Sequence, residues 1–200
     1  MGIRTALSNL ACRVRHPYLS DSFAIRSHLT NSERVELSRL AQAAGLRSIV
    51  EIGAYLGASA SAFAAGLARA RNTAATIYCV DTWNNDAMSE GQRDTMELFL
   101  RNTAAYRARI VPMRGWSTGV VDSIGAQAGR IDLLFIDGDH SYEGCLADWK
   151  AYAPLLSPNA VVAFHDVGWA DGVRRVIDDE VRARIRREKR LPNLWWGELG

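Results

Sequence analysis

Five short apolar runs recur along the chain, and most close on glycine or an acidic residue. They are "SIVEIG" (48–53), "TIYCVD" (76–81), "RIVPM" (109–113), "IDLLFID" (131–137) and "AVVAFHD" (160–166). Runs this short and this apolar suit strands covered on both faces. Stretches of helical period separate them. A helix is expected to start around Asn31 and Ser32, with Glu33 and Glu36 in its first turns and Gly45 as its stop. Further helices are expected over Ser59–Arg71, Met88–Tyr106, weakly near Val120–Ala128, over Tyr142–Leu156, and from Gly172 to about Arg187. Strands alternating with helices specify an α/β, doubly wound, Rossmann-like domain: a mostly parallel sheet with helices on both faces. "NLWWGEL" reads as a last strand at the C-terminus.

Residues 1–30 lack a clear period and are expected to form an arm or lid on a single domain spanning 31–200. No apolar run approaches the ~20 residues of a membrane span, and the N-terminus lacks the apolar core of a secretory signal. Three cysteines without metal or redox spacing fit reduced thiols in a cytoplasmic protein. A net charge of +2 argues against a nucleic-acid protein. In the basic stretch Arg174–Arg190, Val173, Val176, Ile177, Val181 and Ile185 recur at helical spacing, which makes the charges a solvated helix face.

Ligands of such sheets bind beyond the carboxyl ends of the strands. The first run continues as "VEIGAYLGAS", where Gly53 and Gly57 permit a tight turn before a helix N-terminus, with Glu51 just ahead. The spacing is not that of the dinucleotide fingerprint. The second run ends in Asp81, placed to accept hydrogen bonds from a ribose. Jointly these favour a nucleoside-containing cofactor. The fourth run delivers Asp137, Asp139 and His140, and the fifth delivers His165 and Asp166. A metal site, a catalytic base and a polar turn all remain open for this group. Asp139 has the residue type that caps the helix expected near Ser141.

"VEIGAYLGAS" resembles motif I of class I S-adenosylmethionine-dependent methyltransferases, and its loop is similar to that of catechol-type O-methyltransferases. "LLFIDGDHSYEGCLADWKAYAPLLSPNAVVAFHDV" resembles the macrocin and mycinamicin type of sugar O-methyltransferases, some of which have been labelled cephalosporin hydroxylases. The resemblance spans about residues 30–185 and implies roles by position. Glu51, Gly53, Tyr55, Gly57 and Ser59 would hold the methionine portion of S-adenosyl-L-methionine, and Asp81 the ribose. Gly115, Trp116 and Ser117 would surround the adenine, with Trp83 stacking nearby and Asp137 at the cofactor's edge. Asp137, His165 and Asp166 would hold a divalent metal, and His140 would be the general base.

His165 departs from the family, which has an acid there. Two carboxylates suit Mg²⁺, whereas an imidazole tilts selectivity towards Mn²⁺ or other transition ions. Family members continue into a C-terminal antiparallel hairpin, which is expected here to be shortened. The reading is an O-methyltransferase acting on a hydroxyl of a small molecule, a sugar or natural-product intermediate, with divalent-metal assistance. Its alternatives are a non-catalytic cofactor-binding subunit and a metal-dependent hydroxylase. No nucleic-acid or membrane partner is expected, and there is no D/N-P-P-Y/F motif after the fourth strand. Tryptophans near the C-terminus point to self-association as a homo-oligomer.

Overall fold

The computed structural model describes residues 10–43, 45–85 and 91–200. The five apolar runs are strands β1 (Ser48–Ile52), β2 (Thr76–Asp81), β3 (Ile110–Arg114), β4 (Ile131–Ile136) and β5 (Leu156–His165). Among the described residues three α-helices precede β1: α1 (residues 10–15), α2 (Ser20–Ala24) and α3 (Asn31–Leu40). The connections carry α4 (Ala58–Arg69), α5 (Met96–Asn102), α6 (Ser117–Ala128) and α7 (Tyr142–Tyr152), and α8 (Asp171–Val176) follows β5. A terminal pair, β6 (Ile185–Arg190) and β7 (Leu194–Leu199), completes a seven-stranded sheet of order β3-β2-β1-β4-β5-β7-β6. β1 to β5 are parallel, and the hairpin joins β5 antiparallel through β7.

Period-two alternation divides the strand side chains between two apolar layers. Val50, Ile52, Leu134, Ile136, Val162 and Phe164 pack against Ile124, Trp149, Tyr152 and Val176 of the C-terminal helices. Ile49, Ile77, Leu133, Phe135 and Ala163 pack against Leu37, Phe63, Leu67 and Phe99 on the other face. Strand order reverses between β1 and β4, so their carboxyl ends diverge into separate connections and open a crevice.

Three expectations need correction. The hairpin is not shortened: β6 and β7 are both present. The long terminal helix is instead α8, one π turn over Ile177–Val181, a short 3-10 turn and then β6. "IRREKR" has one apolar residue and exposes the other five, so it mimics a solvated helix face. Charged residues are also what protects an edge strand from further pairing. The helix expected over Met88–Tyr106 is α5 alone, followed by a 3-10 turn to Tyr106. Its start lies outside the described residues, which resume at 91 without regular structure. The first helix of the domain is capped by Thr30, whose hydroxyl and Glu33 form a reciprocal capping box.

The expected arm or lid falls partly outside the described residues. From residue 10 it is folded onto the domain. The buried Arg34 guanidinium donates to the carbonyls of Ser22 and Ile25, and the Ser22 hydroxyl donates to Ala58 O at 2.6 Å. These bonds fix Ser27, His28 and Leu29 along one wall of the crevice.

Candidate active site

The crevice above β1, β2, β4 and β5 is a cleft of about 840 Å³, within the size range of small-molecule sites. Its floor is the turn after β1. Gly53 and Gly57 have φ of +87°, and Tyr55 has φ of 44°. A Cβ on Gly53 would lie 2.0 Å from the Asp137 carbonyl oxygen, so only glycine lets the ends of β1 and β4 approach this closely. Gly57 caps α4, whose first residues, Ala58 and Ser59, face the cleft. Asp81 braces this turn: its Oδ2 accepts from Tyr55 N–H at 2.8 Å and its Oδ1 from Trp83 N–H at 2.7 Å.

Glu51 and Trp83, both expected at the cofactor, do not line the cleft. Trp83 is fully buried and stands behind the cleft, its ring 4.8 Å from Phe99 and its indole N–H donating to Tyr55 O at 3.0 Å. It supports the turn from below instead of stacking on a ligand. Glu51 is also fully buried, with Oε2 accepting from the Cys79 thiol at 3.3 Å and Oε1 left without a partner. Burial raises its pKa to about 8, against the Ser59 and Cys79 hydrogen bonds and with help from Asp137 and Asp81.

Gly115, Trp116, Ser117 and Thr118 line the far end, where Trp116 is 70% exposed. There the Ser117 hydroxyl donates to Oδ1 of Asp148, a buried α7 side chain also facing the cleft. Burial pushes the Asp148 carboxyl up to about 6, opposed by the Ser117 bond.

At the opposite end the ends of β4 and β5 bring Asp137, His140, His165 and Asp166 together. His140 Nε2 lies 2.6 Å from Asp166 Oδ2, and this contact raises the His140 pKa in spite of partial burial. The Trp169 indole N–H donates to Asp166 Oδ1 at 2.7 Å, and its ring lies 4.9 Å from that of His140, leaving it 61% exposed to the cleft. Asn193, from the β6–β7 turn, donates to the same Asp166 oxygen at 2.8 Å. Burial opposes ionisation of Asp166, but the His140 and His165 contacts outweigh it and hold the pKa well below the usual carboxylate range. Asp139 accepts from Ser141 N–H at 2.8 Å, and Ser141 itself caps α7. The cap is therefore two residues later than expected, with Asp139 bracing it.

His165, expected among the metal ligands, lies directly against two of them, Asp137 and Asp166. Among the described residues, the group with ligand spacing is Asp137, His140 and Asp166, whose donor atoms all lie within 4.8 Å of one another. The His165 ring is buried behind them. Its Nδ1 is 3.2 Å from Asp137 Oδ1 and 3.3 Å from Asp166 Oδ1 but makes no well-formed hydrogen bond, and its Nε2 is 3.6 Å from Glu33 Oε2. Burial disfavours its charge, yet Asp137, Asp166 and Glu33 outweigh burial and push its pKa up to about 12. A metal at this ring would have to displace that proton. Glu33, Asn193, His28 and Asp148 were not singled out from sequence. Each sits in a helix or turn whose pattern reports packing only, and only the fold brings His28 and Asp148 to the cleft and sets Glu33 and Asn193 against His165 and Asp166.

Among the described residues, no helix is long and apolar enough to cross a membrane. Uncharacterized protein y4gI of Sinorhizobium fredii is 34% identical over 122 residues, which are 60% of this chain and 13% of that protein, so the chain spans a small part of that relative. The O-methyltransferase TomG from Streptomyces achromogenes, involved in tomaymycin synthesis and solved in complex with SAM, superposes with a TM-score of 0.71 at 15% identity, covering 100% of both chains. The mycinamycin-pathway methyltransferase MycE, solved with Mg and SAH, gives 0.60 at 16% identity over 92% of this chain and 54% of its own. These likenesses show a shared fold, that of S-adenosylmethionine-dependent methyltransferases. Residues 50–167, more than half of the chain, match the family described as a methyltransferase domain, and the chain belongs to that family.

Proposed function

We propose that the chain is an S-adenosylmethionine-dependent O-methyltransferase that transfers a methyl group to a hydroxyl of a small molecule, a sugar or natural-product intermediate. One observation carries the reading. A single cleft places a glycine turn and Asp81 at its centre, an exposed aromatic slot at one end, and an acid-braced histidine at the other.

The residues fit the cofactor. The Gly53 approach leaves a shallow floor, α4 presents its N-terminal amides to a carboxylate, and the orphan Glu51 oxygen lies just beneath. Glu51 would act from behind Ser59, with which it shares a hydrogen bond. Bound there, the cofactor supplies an electrophilic methyl group on a sulfonium. The protein's task is to hold an acceptor oxygen about 3 Å from that carbon and in line. Asp166 accepts from Nε2–H of His140, which fixes the tautomer and leaves Nδ1 free to take the acceptor's proton. Trp169, His28 and Leu29 line the same cleft and offer apolar surface to an acceptor.

Asp137 and Asp166 would hold a divalent cation, whose chemistry would be to lower the pKa of the hydroxyl and orient it. MycE was solved with Mg. A second reading follows from the ligand spacing itself: His140 completes the ligand set instead of serving as base, which favours Mn²⁺ or Zn²⁺ over Mg²⁺.

Titration of the purified chain with S-adenosylhomocysteine, followed by methyl-transfer assays on sugar and phenol acceptors, tests the proposal. Micromolar binding with turnover supports it. Binding without turnover on any acceptor would favour a non-catalytic cofactor-binding subunit, and no binding would overturn the reading.

A further inference from the structure

The turn of the C-terminal hairpin reaches the same site. β5 and β7 pair antiparallel with His165 in register with Leu194, so Asp166 and Asn193, the residues just beyond that pair, leave the sheet side by side. The Leu191 N–H donates to Leu194 O at 2.7 Å and closes the turn. The turn is seated on the loop that follows β5: a Cβ on Gly168 would lie 2.7 Å from both Asn193 Oδ1 and Pro192 O. Arg190 of β6 and Arg174 of α8 both donate to Val167 O, at 2.9 and 3.0 Å, and hold the loop against the hairpin. One contact fixes which way the Asn193 amide faces. A backbone N–H can only donate, and that of Gly168 meets Asn193 Oδ1 at 2.9 Å, so the amide nitrogen is turned to Asp166 Oδ1 at 2.8 Å, with His165 Nε2 at 3.4 Å. The Trp169 indole N–H donates to the same Asp166 oxygen at 2.7 Å. Two donors thus take up the two lone pairs of Oδ1, and Oδ2 is left to face His140 Nε2 at 2.6 Å.

We propose that Asn193 is a positioning residue for methyl transfer: it sets the rotation of the Asp166 carboxylate and, through it, the placement of the His140 ring. The inference rests on the reading of His140 as the acceptor's base and Asp166 as its brace. Asn193 lies beyond residues 50–167, so the match to the methyltransferase family does not assign it. An asparagine suits the place because one rigid plane accepts at Gly168 and donates at Asp166. An aspartate would keep the first contact and set a second carboxylate against Asp166, with no donor between them. The hairpin therefore does more than extend the sheet. Its turn supplies the donor that keeps Oδ2 of Asp166 aimed at the base, and a base held out of line loses rate without losing cofactor.

The test follows methyl transfer from S-adenosylmethionine to catechol and to methyl rhamnoside, with S-adenosylhomocysteine titrated alongside. It compares the wild type with Asn193→Asp, Asn193→Ala, His140→Gln and the two double variants. Asn193→Asp breaks only the contact to Asp166, and Asn193→Ala removes both contacts without adding charge. Each should lower kcat by roughly 10- to 100-fold and leave S-adenosylhomocysteine affinity within about 2-fold. In the His140→Gln background the same changes should cost less than about 2-fold, because residues that act as a unit are not additive. An unchanged kcat in both single variants overturns the assignment. An equal loss with and without His140 overturns it too, since that is what a merely structural turn would show. If His140→Gln itself keeps full kcat, the base reading falls and Asn193 has nothing to act through. A wild type that binds no S-adenosylhomocysteine defeats the methyltransferase reading instead, which separates that failure from the others.

Discussion

His140 Nε2 and Asp166 Oδ2 meet at 2.6 Å, although one follows β4 and the other follows β5. The parallel pairing of these two strands creates the contact, because Ile136 is in register with Phe164 and the polar residues beyond them emerge side by side. Asp166 takes this position with a left-handed φ of 60°, which Asp tolerates better than most residues and Asn equally well.

The first prediction concerns this pair. His140→Gln should lower kcat by roughly 10²–10⁴-fold, the usual contribution of a positioned base, with little change in S-adenosylhomocysteine affinity. Asp166→Asn keeps the backbone conformation but cannot fix the imidazole as a carboxylate does, so it should lower kcat by a smaller factor. Steady-state kinetics alongside cofactor titration checks both. Unchanged kcat in His140→Gln would remove the base.

Metal binding separates the two roles available to His140. If it is the base, Mn²⁺ bound by the chain and followed by electron paramagnetic resonance should persist in His140→Gln and vanish in Asp137→Asn. If it is a ligand, both substitutions should weaken Mn²⁺ by at least ~10-fold. The readout does not depend on turnover, so a poor acceptor cannot obscure it.

The turn at Gly53 gives a third test. Gly53→Ala places a methyl 2.0 Å from the Asp137 carbonyl oxygen and asks alanine to hold a φ of +87°. Both penalties act at the join of β1 and β4, so the change should lower stability by ~2 kcal/mol or more and abolish cofactor binding. Gly91→Ala is a control for conformation alone: its φ is +86° but nothing among the described residues lies within 4 Å of an added Cβ. It should leave cofactor binding intact. Normal binding by Gly53→Ala would contradict the close strand approach.

The parallel core and the strand-end acids were legible in the sequence because both follow from local pattern. Apolar runs bounded by helices specify β1 to β5, and such strands deliver whatever follows them to one edge. Asp81, Asp137, His140 and Asp166 could therefore be placed at the cleft without coordinates. β6 could not be read, because its stability comes from charged side chains folded over tryptophans. Arg187 lies 5.4 Å from the Trp196 ring, and Glu188 accepts from the Trp195 indole at 2.8 Å. The surroundings of His165 were hidden for a related reason. Position alone put it with the ligands, whereas its partner Glu33 lies on a helix more than a hundred residues earlier. Trp83 shows the same limit: nothing local says that a strand-end indole turns inward to hold Tyr55 O.

The last prediction uses the buried Glu51. Its folded-state pKa is raised to about 8 from an ordinary 4.5, chiefly by burial. Between those values the folded chain holds a proton that the unfolded chain has released, so this group makes stability fall as pH rises from about 4.5 to about 8. Glu51→Gln has the same shape and no proton to lose. The two proteins should melt at similar temperatures near pH 4.5, and the variant should gain a growing advantage up to pH 8, with each kcal/mol appearing as roughly 2–4 °C in Tm. Calorimetry across that range decides the matter. A variant that is less stable than the wild type at pH 8 would mean that Glu51 is ionised in the folded chain and held there by a counter-charge, and the orphan Oε1 would then need a resident donor.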